Sequence, residues 1–174
     1  PRVMAAALEA GATMINDISA LIHPGAIDIV AASDCAVCLM HMAGEPGTMQ
    51  QSPSYDDVVG EVRAFLDARV SLCRTAGIAD NRIVLDPGLG FGKTLAHNLE
   101  ILRNVAAFKQ HGCPLLIGHS RKSFLGRLLG LEVAERDPAT AVVSALLAGR
   151  GVDLLRVHDV RASRQAVLLQ TALS

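Results

Sequence analysis

The residues best suited to chemistry in this 174-residue chain fall into three short stretches. The first is DPGLGFGKT, residues 86–94, where Asp86 precedes a proline, alternating glycines and a Lys-Thr pair. A nucleotide-binding P-loop would need a glycine where Pro87 stands, and proline has no N–H to offer a phosphate. The dinucleotide fingerprint fails too, because its third glycine would fall on Lys93. Asp86 instead follows the apolar Ile83-Val84-Leu85, which puts a carboxylate at the end of a buried strand. Such an Asp suits a turn or N-cap, or a hydrogen-bonded place facing a ligand. The glycines let backbone pass close to a ligand, and Phe91 set among them suits the face of a flat ring.

The second stretch is GHSRKSFLG, residues 118–126, with Arg121 and Lys122 at or near a helix N-terminus. Two cations there oppose the helix dipole unless they are a solvated pair or an anion joins them, served also by Ser123 and free N–H groups. The third is LLRVHDV, residues 154–160. Arg156 and His158 stand two apart on an extended segment, hence on one face, and together they suit phosphate oxygens. His41, between Met40 and Met42, fits either a pocket lining or core filler. His23, His97 and His111 read as helix or loop surface, and His119 stays open.

These groups need elements to hold them. Apolar runs end at Asn16-Asp17, His41, Asp86, Gly118 and near His158, and each is followed by a helical pattern. The pattern predicts helices at 1–10, from Pro24 to about 33, from a Ser54–Asp57 capping pair to Gly77, over 95–110, around 121–129, over 137–149, and at the end of the chain. Five short apolar strands, each followed by a helix, imply parallel pairing in a sheet buried on both sides. An open doubly wound sheet gathers ligand residues at one switch point, whereas a barrel gathers them from nearly every strand onto one rim. The spread of Asn16, His41, Asp86, Ser120, Arg156 and His158 favours a TM-free α/β chain built as part of a TIM (β/α)8 barrel. About five parallel strands are present, in a single N-terminally truncated domain over 1–174, with three strands expected upstream of Pro1.

Composition closes off other classes. The chain is 51% hydrophobic and 19% charged, with a formal net charge of −1. That leaves no basic field for nucleic acid or anionic lipid and little aromatic surface for stacking bases. No apolar run is long enough for a membrane helix. Cys35 and Cys38 sit three apart in an apolar strand and so face opposite ways, a poor geometry for a shared metal or a disulfide. All four cysteines read as buried thiols, and a reducing cytoplasm is expected.

Taken in order, MINDISAL, CLMHMAGEPGTMQ, DPGLGFGKT, IGHSRKSFLG and LLRVHDV resemble the dihydropteroate synthase family, over essentially the whole chain. The resemblance implies a transferase on a (β/α)8 barrel that joins 6-hydroxymethyl-7,8-dihydropterin diphosphate to 4-aminobenzoate, releasing diphosphate, with Mg²⁺ as cofactor. It assigns pterin binding to Asn16, Met40, Asp86, Gly118 and Lys122, and diphosphate binding to Arg156, Val157 and His158. It assigns aminobenzoate binding to Phe91, Arg121 and Ser123. Asp86, Lys122, Arg156 and His158 carry the catalytic roles. The metal ligand is expected upstream of Pro1, with none in this stretch. A cytoplasmic homodimer, a target of sulfonamides and inactive as the 174-residue chain alone, is the expectation. Leu89 departs from the aromatic often found there. A methyltetrahydrofolate-dependent methyltransferase, which needs no diphosphate grip, and a non-catalytic paralogue are the alternatives.

Overall fold

The computed structural model describes residues 1–109 and 112–174. Five strands alternate with seven helices among these residues. The strands are β1 (Met14–Asp17), β2 (Ala36–Met40), β3 (Ile83–Asp86), β4 (Leu116–Ile117) and β5 (Leu154–Leu155). The helices are α1 (Arg2–Glu9), α2 (Ala26–Ala31), α3 (Val58–Thr75), α4 (Leu95–Arg103), α5 (Ser123–Leu129), α6 (Asp137–Gly149) and α7 (Val160–Ala172).

All strand pairs are parallel. They run β1-β2-β3 and β4-β5, and a bridge from Leu85 to Leu115 joins the two groups. Strand order therefore follows chain order with no reversal. A doubly wound sheet must reverse at its switch point, so the arrangement is an arc of a (β/α)8 barrel.

Alternation along the strands divides the core in two. Odd-numbered Ile15, Val37, Leu39, Ile83, Leu85, Leu115 and Ile117 pack with helix residues such as Val62, Leu66, Ile101 and Leu125. Even-numbered Cys38, Val84 and Leu116 form a separate cluster on the inner side of the arc. Cys35 belongs to the outer layer and Cys38 to the inner one, and all four cysteines are free. Continuing the inner parity toward the C-terminal ends gives Asn16, Met40, Asp86, Gly118 and Arg156. The strand period delivers these five to one mouth.

Some local boundaries differ from the sequence pattern. The cap of α3 is Asp57 alone, whose carboxylate accepts from the Gly60 N–H at 3.0 Å, while Glu61 accepts from the Asp56 and Asp57 N–H groups. Ser54 takes no part in it. The helix expected over 95–110 stops at Arg103, because Asn104 turns its amide back onto the Glu100 carbonyl, and one tight turn over Val105–Phe108 follows. The last residue of that expected helix, and His111, lie outside the described residues. α5 begins at Ser123, two residues late, because Arg121 adopts a left-handed φ of 56°.

Candidate active site

Asp86 ends β3 and is 1% exposed. Its Oδ1 accepts from the Gly88 N–H at 2.8 Å, and its Oδ2 accepts from Arg156 Nη2 at 3.0 Å. The same guanidinium donates from Nη1 to Asn16 Oδ1 at 2.8 Å. One planar cation thus ties the ends of β1 and β3 to the segment leaving β5, a use that suits the forked geometry of arginine. Gly118 makes the seat possible: a Cβ there would stand 2.5 Å from Arg156 Nη2.

Ser120 Oγ lies 2.8 Å from His158 Nδ1 and accepts from the His158 N–H at 3.1 Å, which fixes the imidazole beside Arg156. A cavity of about 250 Å³ opens here, lined by Phe91, Gly118, Ser120, Lys122, Arg156, Val157 and His158. Met40 lines a neighbouring cleft of about 510 Å³ with Ile18, Met42 and Phe65.

The glycine-rich turn after Asp86 is packed onto the exit of β2. A Cβ on Gly88, whose φ is +69°, would meet the His41 carbonyl oxygen at 1.9 Å, and one on Gly92 would meet the Ala43 oxygen at 2.4 Å. Only glycine permits that approach. Lys122, capping α5, donates from Nζ to the Leu89 carbonyl and stands 4.8 Å from the Phe91 ring centroid, a cation–π distance. Burial pulls its amine down to about 8, with Asp86 opposing that shift and Arg156 adding to it.

The remaining site candidates do not converge on this cavity. Arg121 is forked onto Asp137, at 2.8 and 2.6 Å, so the cation beside α5 finds its counter-charge within the chain. Ser123 lines a different small cavity with Gln50, Lys93 and Asn98. His119 is fully buried with Nε2 at 3.1 Å from the Thr140 carbonyl and 3.0 Å from Ser144 Oγ, and burial lowers its pKa. Among the described residues, no group of three or more His, Cys, Asp or Glu side chains could hold a metal ion.

A mouth that sets a buried carboxylate against an arginine, with a histidine and a ring-bearing glycine turn beside it, has close counterparts. The family profile described as "Pterin binding enzyme" matches residues 1–158. The chain belongs to the pterin-binding enzyme family. Dihydropteroate synthase of Escherichia coli strain K12 is 42% identical over 167 residues, which are 96% of this chain and 59% of that protein. Dihydropteroate synthase from Stenotrophomonas maltophilia, solved with imidazole in its active site, superposes with a TM-score of 0.96 at 46% identity, over 99% of this chain and 66% of that one. The Xanthomonas albilineans enzyme in complex with 7,8-dihydropteroate gives 0.92 at 44% identity, over 99% and 65%. The chain therefore spans 59% of the length of its Escherichia coli relative.

In this member of the pterin-binding enzyme family, the sequence does not single out Lys93 or assign Ser120 a role. Lys93 reads as an ordinary loop lysine, yet it is 3% exposed. Ser120 follows a buried strand end, as the other rim residues do, and that position was its signal.

Proposed function

We propose that these residues form the C-terminal part of a dihydropteroate synthase, which joins a 6-hydroxymethyl-7,8-dihydropterin diphosphate to 4-aminobenzoate. The observation that carries the reading is the Asp86–Arg156–Asn16 contact at the mouth of the arc. A carboxylate and an amide oxygen held side by side accept hydrogen bonds, which matches the adjacent N–H donors of a 2-amino-4-oxopyrimidine ring. Arg156 and His158, at the same mouth, suit the leaving diphosphate. Further support comes from the Xanthomonas albilineans relatives in complex with 7,8-dihydropteroate and with 4-aminobenzoic acid.

In this mechanism the C–O bond between the pterin methylene and the diphosphate breaks first. Arg156 and His158 stabilise the charge that builds on the departing oxygens, and Asp86 stabilises the electron-poor pterin left behind. The arylamine nitrogen then forms the C–N bond and sheds a proton to water. Lys122 meets the acceptor side of the pterin, while Phe91 offers its face to the arylamine ring. Mg²⁺ belongs to the proposal through ligands expected in the upstream segment; the described residues supply no such set, and no step above runs through the ion. A cytoplasmic homodimer that binds sulfonamides completes the reading, with exposed Leu128, Val142 and Leu146 offering an apolar strip for a second copy.

The test uses the chain completed by the Escherichia coli segment that precedes the aligned region, termed the completed chain below. Supplied with dihydropterin diphosphate and Mg²⁺, it should release diphosphate only when 4-aminobenzoate is added. Release independent of the arylamine, or none with both substrates present, would refute the reading.

A further inference from the structure

We propose that Lys93 is a positioning residue for the reaction: its amine, seated between His41 and the Phe91 carbonyl, sets the orientation of the Phe91 ring at the cavity. Lys93 is the one buried lysine among the described residues, at 3% exposure. Its Nζ donates to the Phe91 carbonyl at 3.0 Å and lies 3.0 Å from His41 Nδ1. Burial, with Lys93 adding to it, lowers the His41 pKa to about 3, so the imidazole is neutral and Nδ1 is free to accept. His41 is itself held, its ring edge-on to Phe65 at 5.0 Å between centroids. The lysine therefore hangs the turn from a fixed point on the exit of β2.

Other groups fasten the same turn but act on different residues. Tyr55 Oη donates to the Gly92 carbonyl at 2.8 Å, Gln50 donates to the Gly90 carbonyl, and Asn98 Oδ1 accepts from the Gly90 N–H at 2.7 Å. Lys93 alone among these holds the Phe91 carbonyl. It does so without touching the cavity lining beyond that residue, which separates it from Lys122, Arg156 and His158. A buried amine is costly to keep, and burial pulls this one down to about 7 while the Asp86 charge resists the shift. Methionine would fill the same volume more cheaply. What the amine adds over methionine is the pair of directed contacts.

The inference rests on Phe91 as the ring facing the arylamine, and two measurements on the completed chain decide it. In Lys93→Met, the KM for 4-aminobenzoate should rise by about tenfold, as expected for a ring displaced by a fraction of an ångström, with the KM for the pterin diphosphate within about twofold. His41→Phe, which keeps a ring against Phe65 but offers no acceptor, should move the same constant in the same direction. In Phe91→Ala, adding Lys93→Met should cost nothing further, because the lysine acts through the ring. The second measurement needs no turnover: amide exchange over residues 88–92 should quicken in Lys93→Met while β3 keeps its protection. Equal shifts in both KM values, independent effects in the double variant, unchanged exchange, or failure of both variants to fold would each overturn the proposal. If the unaltered completed chain makes no product, the functional reading falls, and the exchange experiment still judges the lysine.

Discussion

Replacing Gly118 by alanine puts the central contact of the site to a quantitative test. The new methyl would stand 2.5 Å from Arg156 Nη2, 3.0 Å from Cζ and 3.1 Å from Nε, too close to remain. The guanidinium is the movable partner, since the Arg156 side chain is 41% exposed, so it swings toward water. Asp86, 1% exposed, is then left with the Gly88 N–H. A charge-assisted hydrogen bond contributes about 1.5–3 kcal/mol, which solvent screening at the exposed arginine reduces to roughly 1–2. Against this, Gly→Ala at a backbone without positive φ gains about 0.4–1 kcal/mol by restricting the unfolded chain. Gly118 is not among the positive-φ glycines. The net expectation in the completed chain is a loss of about 1 kcal/mol by urea denaturation, with a rise of about tenfold in the KM for the pterin diphosphate. In an Arg156→Ala background the clash is gone, so Gly118→Ala should there be neutral or stabilising. An equal cost in both backgrounds would refute the account of Gly118 as the seat of the arginine.

Two further outcomes follow from the glycine turn and its lysine. Lys93 takes a proton at pH 10.5 when unfolded and at about 7 when folded, so the unfolded state binds more protons between those values and stability rises with pH across them. Lys93→Met lacks that slope, so its stability advantage over the native residue should be largest at or below pH 7 and shrink by about 4 kcal/mol by pH 10, at about 1.4 kcal/mol per pH unit. Parallel urea titrations at several pH values check this, and a constant difference would sink it. Gly88→Ala combines a positive φ with a methyl driven against the His41 carbonyl oxygen, and backbone cannot yield as a side-chain end does. A loss of about 3 kcal/mol or more, or failure to accumulate as soluble protein, is expected; wild-type melting behaviour would contradict it.

How much of this was legible beforehand depended on the distance over which each residue is determined. The strand AVCLM was readable in full because its burial is local and continuous, and the parity that sends Asp86 and Arg156 inward follows from strand geometry alone. The rim residues were recognisable as polar groups at the ends of apolar runs. Arg121 was harder, since its partner Asp137 lies 16 residues onward and its positive φ leaves no mark in the sequence. In the sequence it stands as a pair with Lys122, although the two side chains part. Lys93 was hidden for a related reason: its partner His41 stands 52 residues earlier, and nothing near residue 93 announces a buried amine. Asp57 displaces Ser54 as the cap because the helix starts at Val58, which puts the Gly60 N–H within reach of the Asp57 carboxylate.

The hydrogen bond from Arg156 to Asn16 joins residues 140 apart, from the first strand to the segment leaving the last. Contacts that distant form only after the intervening turns of the coil have settled, and they carry the largest loop-closure cost. Any widening of the arc, wherever it starts, must stretch this span before most others. The mouth of the arc therefore doubles as a strain gauge for the described strands, and remote substitutions that loosen the helical layer should register there as a weakened Arg156–Asn16 contact while bulk helicity is still intact.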